Sequence, residues 1–302
     1  MTAASAPPTP SASGRSLALT ALMVGAVGLA LTPNLVRLSE VGPIATGFWR
    51  AVFAFPLMLA LSRIEQGRDP VPPPALRPRD YGWLAFASLA MVADLILYPS
   101  SVHYTSIANA SLLGGLNPII VTIGAAFLFG ERITPLFVVG MAIALVGTAL
   151  LVEAGPAALA GFNAGDALAL ASAFSFAFYT LGLKQLRGRL KTGTVVVWNM
   201  GIAALCLLPA AAIAGETLVP KSAAGWAILV GFAVAVDLVA RSAYTFSFAR
   251  LPASFNSVGL LSSPVIAALI AWALFGEALS WQQGVAAAIV LGGIGIAQRT
   301  AR

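Results

Sequence analysis

Two stretches of the chain decide its fold: ANASLLGGLNPIIVTIGAAFLFGERIT at residues 108–134 and SFNSVGLLSSPVIAALIAWALFGEALS at residues 254–280. Aligned at a constant offset of 146 residues, they share eight identities, including a central proline and a closing Phe-Gly-Glu. The identical pairs are Ser111 and Ser257, Pro118 and Pro264, Ile120 and Ile266, Ala125 and Ala271, Leu128 and Leu274, Phe129 and Phe275, Gly130 and Gly276, and Glu131 and Glu277. A shared richness in alanine and leucine does not account for this agreement. It indicates an internal repeat.

The composition is that of an integral membrane protein. Of the 302 residues, 59% are hydrophobic and 9% are charged, whereas about 25% of residues are charged in soluble domains. Ten membrane-spanning helices need roughly 200 residues, which leaves no room for a soluble catalytic domain. Cys206 and His103 are the single cysteine and histidine. Disulfide frameworks, iron–sulfur clusters and histidine-based haem or zinc sites within one chain are therefore excluded, and no cofactor is expected.

Apolar windows bounded by charges or Pro/Gly clusters predict ten spans. The Pro/Ser/Ala-rich residues 1–14 are expected to be a disordered tail. Residues 15–155 and 156–302 are each expected to form a five-helix half. The predicted spans are Arg15–Leu38, Ile44–Ser62, Tyr81–Val102, Ala108–Phe129, Pro135–Val152, Ala164–Leu183, Val195–Ala214, Ala223–Phe248, Ala253–Phe275 and Trp281–Ala297.

The basic residues predict the orientation of these spans. Thirteen of the 17 Lys and Arg residues fall on the side that holds both termini, and the opposite side holds only Arg37 and Lys221. Because cytoplasmic loops carry the excess of positive charge, both termini are expected in the cytoplasm. This placement also explains the +6 net charge without a nucleic-acid partner.

A repeat of five spans each has a mechanistic consequence. An odd number of spans forces the second half to enter the membrane upside down relative to the first. Inverted repeats are typical of secondary transporters, in which the two halves exchange conformations to give alternating access. The sequence therefore predicts an all-α transporter of ten helices around a central cavity.

At this point the chain resembles a known family. Ten spans in two halves, Pro118 and Pro264 within spans 4 and 9, and the repeated Phe-Gly-Glu are similar to the EamA family of the drug/metabolite transporter superfamily. The resemblance covers nearly all of residues 17–298, and the chain is most similar to YddG-type aromatic amino acid exporters. It implies export of a small molecule across a bacterial inner membrane and no enzymatic activity. Members of the family also export drugs, nucleosides and other metabolites, so the resemblance implies transport more firmly than a substrate.

Ionisable residues inside the membrane are costly and are candidates for function. Asp94 and Asp237 lie near the centres of spans 3 and 8, and Arg241 follows Asp237 by one helical turn. Tyr98 and Tyr244 extend these polar faces toward a shared cavity, which would bind the amino and carboxylate groups of a zwitterion. In the competing interpretation, Asp237–Arg241 is a closed structural ion pair and Asp94 pairs with Arg50.

The remaining candidates are polar or helix-breaking positions. Non-helical backbone at membrane depth is tolerated where it is buried or lines a wet cavity, although side-chain amides also serve as bonds between helices. His103 is either a solvated interfacial residue or a gating group, and Glu131 is expected to pair with Arg132 or Arg250. The predicted helix-breaking residues are Pro33, Pro99, Pro118 and Pro264, and the additional cavity candidates are Asn34, Asn109, Asn117, Asn256 and Tyr179.

Small residues predict where two further helices pack. Gly140, Ala144 and Gly147 in span 5, and Ala288, Gly292 and Gly295 in span 10, recur at helical spacing and are expected to form close packing surfaces, either within the scaffold or in a dimer contact. Neither helix has a charge within the membrane.

These features favour export of amino acids, with aromatic and other neutral ones first. A multidrug or nucleoside exporter is the competing transporter and would use Asp94 and Asp237 to accommodate bulky cations. A membrane enzyme acting on lipids would need clustered histidine or acidic motifs at an interface. A channel would need no alternating gate, which the mid-helix prolines argue against.

Overall fold

The computed structural model describes residues 12–68, 75–152, 163–276 and 280–300, and these residues form helices without a strand. The helices are α1 (Ala12–Leu38), α2 (Pro43–Arg68), α3 (Pro78–Ser101), α4 (Ile107–Gly114), α5 (Asn117–Phe129), α6 (Pro135–Leu151), α7 (Ala164–Arg187), α8 (Thr192–Ile213), α9 (Ala223–Phe232), α10 (Ser242–Ser247), α11 (Ala253–Gly259), α12 (Ser262–Phe275) and α13 (Trp281–Thr300). A π-helical segment, Ala233–Arg241, joins α9 to α10. The helix α1 begins three residues before the predicted span, so residues 12–14 of the expected tail are helical.

Eight helices are long and apolar enough to cross a membrane among the residues that the structure describes. In this set, α4 with α5, α9 with α10, and α11 with α12 each count as one span. The helix α6 is apolar but has only 17 residues. The helix α13 has 20 residues, but glutamines lie near both of its ends. The chain is thus a multi-pass helical membrane protein, but the predicted count of ten spans is not confirmed.

Two spans are broken at their middle, each just before a proline. The first break separates α4 from α5 at Gly115 and Leu116, and Pro118 is the second residue of α5. The second break separates α11 from α12 at Leu260 and Leu261, ahead of Pro264. Proline cannot donate a main-chain hydrogen bond and crowds the preceding turn, so each helix restarts at that point.

The other two predicted helix-breaking positions are not breaks. The helix α3 runs through Pro99, and α1 continues through residue 33. The side chain of Pro33 lies outside the described residues. A proline inside a membrane helix removes one hydrogen bond, and neighbouring helices and hydroxyl groups can satisfy the freed carbonyl group. Next to Pro99, the Oγ atoms of Ser100 and Ser101 add hydrogen bonds to the main-chain oxygens of Ile96 and Tyr98.

The helices α6 and α13 pack against each other through small residues. A Cβ atom added at Gly140 would lie 2.6 Å from the nitrogen of Ala297, and one at Gly147 would lie 2.7 Å from the nitrogen of Val290. The expected surface of α6 is therefore correct. The expected surface of α13 does not pack within the chain, because a Cβ atom added at Gly292 or Gly295 would have no atom within 4 Å, and a dimer contact there stays a prediction. The close contacts of α13 are made one helical face away, by Val290, Gly293 and Ala297.

Glutamate side chains cap the N-termini of helices that lie far from them along the chain. Glu216 accepts hydrogen bonds from the nitrogens of Ile44 (3.2 Å) and Ala45 (2.7 Å) at the start of α2. In return Glu65, near the end of α2, accepts one from the nitrogen of Gly193 (2.7 Å) at the start of α8. A carboxylate is favourable there because it satisfies free N–H groups and the positive end of the helix dipole. The helices α2 and α8 thus hold each other at both ends.

Candidate functional site

A cavity of about 540 Å³ lies among the long helices, within the size range of small-molecule sites. It is lined by the second half of α1, the start of α2, the second half of α3, the C-terminal half of α4, the start of α5, the end of α6, the first half of α7, the end of the π-helical segment, and the middle of the broken span α11–α12. Its wall consists of Leu29, Ala30, Thr32, Arg50, Met91, Asp94, Leu95, Tyr98, Ser111, Gly114, Gly115, Asn117, Thr148, Val152, Ser172, Ala173, Phe176, Arg241, Ser257, Leu260, Leu261, Ser263, Pro264 and Ala267.

The cavity occupies one end of the helix bundle. It is bounded where α1, α3 and α6 end and where α2, α4 and α7 begin, which is the end away from most of the basic residues. At the opposite end, called the sealed end below, buried side chains fill the space between the helices. Tyr179, Tyr244, Phe248 and Leu251 are each at most 2% exposed there. Lys184 Nζ ties this end together by donating to the main-chain oxygens of Phe248 (3.3 Å) and Leu251 (2.8 Å).

A three-residue charge cluster forms the floor of the cavity. Arg50 of α2 donates from Nε to Asp237 Oδ2 (2.9 Å) and from Nη2 to Oδ1 (3.0 Å). Arg241 donates from Nε to the same Oδ1 atom (3.0 Å). All three residues are buried, with at most 7% of any of them exposed. One carboxylate therefore serves two guanidinium groups, and the cluster carries a net positive charge.

Neighbouring groups hold the two arginines in place. The Arg50 guanidinium lies over the ring of Phe232, 3.8 Å from its centroid, in a cation–π contact. Arg241 Nη1 donates to Met91 Sδ (3.2 Å) and Tyr179 Oη (3.4 Å). Both arginines nevertheless line the cavity. The guanidinium groups are thus fixed by their partners and still reach the space where a ligand would lie.

Asp94 lies apart from this cluster on the wall formed by α3. Its Oδ1 atom accepts a hydrogen bond from Ser172 Oγ of α7 (2.6 Å), and Asp94 and Arg241 are close enough to interact electrostatically. The expected pairing of Asp94 with Arg50 is not observed, because Arg50 takes Asp237 instead. A carboxylate with no ion pair among the described residues therefore faces the same cavity as the two arginines.

The remaining wall combines hydroxyl groups with apolar surface. Tyr98 Oη and Ser111 Oγ are 3.0 Å apart and share a hydrogen bond across α3 and α4. Asn117 Nδ2 donates to the main-chain oxygen of Gly114 (3.3 Å), while its Oδ1 atom is buried without a partner among the described residues. Leucines and the ring of Phe176 cover much of the rest. The cavity thus offers a polar floor and an apolar wall.

Of the predicted site residues, Asp94, Tyr98, Asn117, Arg241 and Pro264 line the cavity, whereas the others are placed elsewhere. Three of them support the cavity from behind. Asp237 holds the arginines, Tyr179 bonds Arg241, and Pro118 is buried at the start of α5. Tyr244 and Asn256 are buried at the sealed end, where Asn256 Oδ1 accepts from Ser247 Oγ (2.6 Å).

The other predicted amides and His103 serve different contacts. Asn34 Nδ2 donates to the main-chain oxygen of Ala267 (3.3 Å) and so joins α1 to α12. Asn109 Nδ2 reaches Asp166 Oδ1 (3.5 Å), and His103 is exposed in the turn after α3. The expected pairing of Glu131 with Arg132 or Arg250 is not seen among the described residues. Its carboxylate instead accepts hydrogen bonds from the nitrogens of Ala253 (2.6 Å) and Ser254 (3.2 Å) at the start of α11.

Sequence reasoning missed several members of the wall. Ser172 and Ser263 have no signal of their own, because serine in a membrane helix most often bonds to its own backbone. Ser257 is marked only by its identity with Ser111 in the repeat. Ser172 is the informative case, since only its position opposite Asp94 distinguishes it from other serines. Arg50 carried a signal, being a charge inside a span, but its partner depended on how α2 and the π-helical segment pack.

Comparisons with known proteins agree with this architecture. The EamA-like transporter family matches residues 14–153 and, a second time, residues 163–298. An uncharacterized transporter of Archaeoglobus fulgidus is 23% identical over 284 residues, which cover 94% of this chain and 95% of that protein. The aromatic amino acid exporter YddG of Ancylobacter novellus is 28% identical over 210 residues, 68% of this chain and 71% of the exporter.

Two further known proteins are similar to this chain. A probable terminal-alkyne amino-acid exporter of Streptantibioticus cattleyicolor is 26% identical over 206 residues, 67% of each chain. A solved crystal structure matches with a TM-score of 0.76 and 22% identity, and covers 96% of this chain and 99% of that one. At this identity the structural match shows a shared fold.

Proposed function

Because this chain belongs to the EamA-like transporter family, we propose that it exports amino acids by alternating access and that aromatic and other neutral amino acids are its preferred substrates. The observation that carries the proposal is the charge arrangement of the cavity. Two arginines that share one carboxylate stand on its floor, and the separate carboxylate of Asp94 stands on its wall.

A zwitterion suits this arrangement. The α-carboxylate of an amino acid would bind the surplus positive charge of Arg50 and Arg241, because guanidinium groups bind carboxylates in strong, directed hydrogen bonds. Its ammonium group would bind Asp94, which has a hydroxyl partner in Ser172 and no ion pair among the described residues. Phe176, Leu95 and Leu260 supply an apolar wall for a neutral side chain. The names of two relatives, which are exporters of aromatic and terminal-alkyne amino acids, support the same substrate class.

The two matches of the family to one chain support a transport cycle by alternating access. We propose ten spans in two inverted five-helix halves, with α6 and α13 completing the eight longer ones. With the basic end in the cytoplasm, both termini are cytoplasmic and the cavity opens to the periplasmic side of a bacterial inner membrane. The structure would then represent the outward-open state, and substrate from the cytoplasm would enter after the sealed end opens.

Asp94 is the better candidate for coupling to protons. Asp237 accepts hydrogen bonds from both arginines, and losing its charge would leave those arginines uncompensated. Asp94 has no such duty. A proton could replace the substrate ammonium group on Asp94, which would link amino acid release to proton uptake.

Flux of radiolabelled amino acids in proteoliposomes, with and without a pH gradient, tests the proposal. Wild-type protein is expected to show saturable phenylalanine flux. Asp94→Asn is expected to raise the KM roughly 10- to 100-fold, since a hydrogen bond to a charged group contributes about 1.5–3 kcal/mol. The control is Asp80→Asn, which removes a carboxylate at the basic end of α3 and is expected to leave the KM unchanged.

The analogues of phenylalanine sharpen this test. Phenethylamine lacks the carboxylate and phenylpropionate lacks the ammonium group. Both are expected to compete weakly against phenylalanine in wild type, and Asp94→Asn is expected to affect phenylpropionate least. Loss of gradient-driven acceleration in Asp94→Asn would assign the proton to Asp94.

A multidrug exporter is the second candidate, and Asp94 is the observation that favours it, because a carboxylate without an ion pair attracts organic cations. Export of cationic dyes by folded protein that shows no amino acid flux would replace the first proposal with this one.

A further inference from the structure

The internal repeat pairs Tyr98 and Ser111, which line the cavity, with Tyr244, which is buried at the sealed end, and with Ser257, which is buried in α11 and borders the cavity. At the offset of 146 residues, Tyr98 corresponds to Tyr244, and Ser111 corresponds to Ser257. In each half the tyrosine lies shortly before a turn and the serine lies in the short helix that follows, α4 or α11. The same two side chains are thus available at equivalent places in both halves.

In the first half these side chains bond to each other. Tyr98 Oη and Ser111 Oγ are 3.0 Å apart, and both residues line the cavity. Of the residues of α4 from Asn109 to Gly114, only Ala110 is buried. The hydrogen bond therefore spans α3 and α4 on an open, accessible surface.

In the second half the corresponding bond is absent. Tyr244 is 1% exposed, and its hydroxyl lies against that of Thr180 without reaching hydrogen-bond geometry to any described residue. Ser257 Oγ donates instead to the main-chain oxygen of Ser254 (2.8 Å) within its own helix. All seven residues of α11 are buried.

This difference has an energetic meaning. A buried hydroxyl group without a partner destabilises the state that contains it, and such groups in native structures call for an explanation. Tyr244 Oη and Thr180 Oγ1 face each other, and Thr245 Oγ1 is a further buried hydroxyl at this end without a hydrogen-bond partner among the described residues. The sealed end therefore lacks polar contacts that another conformation of the chain can supply.

We propose that Tyr244 and Ser257 are the inward-facing counterparts of Tyr98 and Ser111: they bond to each other when the sealed end opens, and Tyr244 then lines the cytoplasmic half of the substrate path, while the Tyr98–Ser111 bond breaks. The inference rests on the proposed alternating access. One hydrogen bond forms in each state, so the two pairs bias the equilibrium in opposite directions. The amino acid then meets hydroxyl groups on both halves of its path.

The test is the accessibility of the sealed end to a thiol reagent in detergent, without substrate. Thr245 is fully buried beside Tyr244, so Thr245→Cys in a Cys206→Ser background reports opening through its rate of labelling by a polar maleimide. Tyr98→Phe is expected to raise that rate about fivefold, and Tyr244→Phe is expected to lower it about fivefold, as one net hydrogen bond predicts. Ser111→Ala and Ser257→Ala are expected to follow their tyrosine partners.

Tyr104→Phe is the matched control, because Tyr104 is 67% exposed in the turn between α3 and α4. It is expected to leave the labelling rate unchanged. All variants are compared as monodisperse protein with helical circular dichroism, which separates a shift in conformation from a failure to fold.

Shifts of the two tyrosine variants in the same direction, or an unchanged rate in folded Tyr244→Phe protein, would overturn the inference. Absence of labelling at position 245 in every folded variant would overturn it as well, because the path would then not open there. The readout uses no amino acid. Opposite shifts in protein without amino acid flux would therefore support the hydroxyl pairs while rejecting the proposed substrate.

Discussion

The region between α3 and α4 and the region between α10 and α11 have related sequences and opposite environments. Around Tyr98 and Ser111 the chain borders an open cavity, and His103 and Tyr104 between them are exposed. Around Tyr244 and Ser257 most side chains are buried, although Ala249 and Arg250 in the turn are exposed and Ser257 borders the cavity. Equivalent sequence thus does not impose equivalent packing. The two tyrosines show the difference most clearly, because Tyr98 borders the cavity and Tyr244 is buried.

The charge cluster lies between these two regions, and breaking it has the largest expected effect. Asp237→Ala leaves Arg50 and Arg241 buried without their shared carboxylate. Removing one partner of a buried ion pair costs about 3–5 kcal/mol, so we expect a large fall in thermal stability in detergent. Asp94→Asn is the control, since it removes a carboxylate with a hydroxyl partner and should cost much less. Equal losses in both variants would contradict this assignment.

Releasing the sealed end should have the next largest effect. Lys184 donates to the main-chain oxygens of Phe248 and Leu251, and hydrogen bonds from charged groups are stronger than neutral ones. Lys184→Met is expected to raise maleimide labelling at Thr245→Cys about tenfold, which corresponds to roughly 1.4 kcal/mol. Lys221→Met, at the cavity end of the helix bundle, should leave the labelling rate unchanged. Slower labelling in Lys184→Met would exclude a sealing role for this lysine.

Neutralising the glutamates that cap helices should have a smaller effect on stability, of similar size at both positions. Glu131 accepts hydrogen bonds from main-chain nitrogens at the start of α11, and Glu216 does so at the start of α2. Glu→Gln at either position is expected to cost about 1 kcal/mol, as for other N-terminal caps. Thermal melts should therefore fall modestly in both. Only Glu131→Gln should speed labelling at Thr245→Cys. Glu216 caps α2 at the cavity end of the bundle, away from position 245.

The smallest expected effect is a pH dependence at the loop between α1 and α2. The hydroxyl of Ser222 and nearby main-chain N–H groups hold the pKa of Glu40 below its ordinary value of 4.5. A lowered pKa stabilises the folded state above the unfolded value, and this contribution is lost as pH falls through the folded value. Melting temperature should thus decline slightly more steeply below pH 4.5 in wild type than in Glu40→Gln. A steeper decline in the variant would reverse the sign.

Several features followed from residue types alone. An apolar composition with few charges permits only a membrane protein, because water cannot solvate so much apolar surface and lipid requires helices that satisfy their own backbone. The repeated prolines at positions 118 and 264 locate the two helix breaks, and their recurrence in the repeat is the informative signal, because α3 runs through Pro99 without a break. The family match over both halves agrees with the repeat.

Other features depended on which helix faces meet, and only the tertiary structure decided them. Asp237 rather than Asp94 pairs with Arg50, since the π-helical segment brings Asp237 to α2. Gly293 rather than Gly292 packs on α6, a rotation that small-residue spacing does not reveal. Tyr98 borders the cavity and Tyr244 is buried, although the two tyrosines occupy equivalent positions in the repeat. The sequence by itself determined the helices, their breaks and the set of charges. Tertiary packing decided the partners, because a side chain's contacts come from residues far away along the chain.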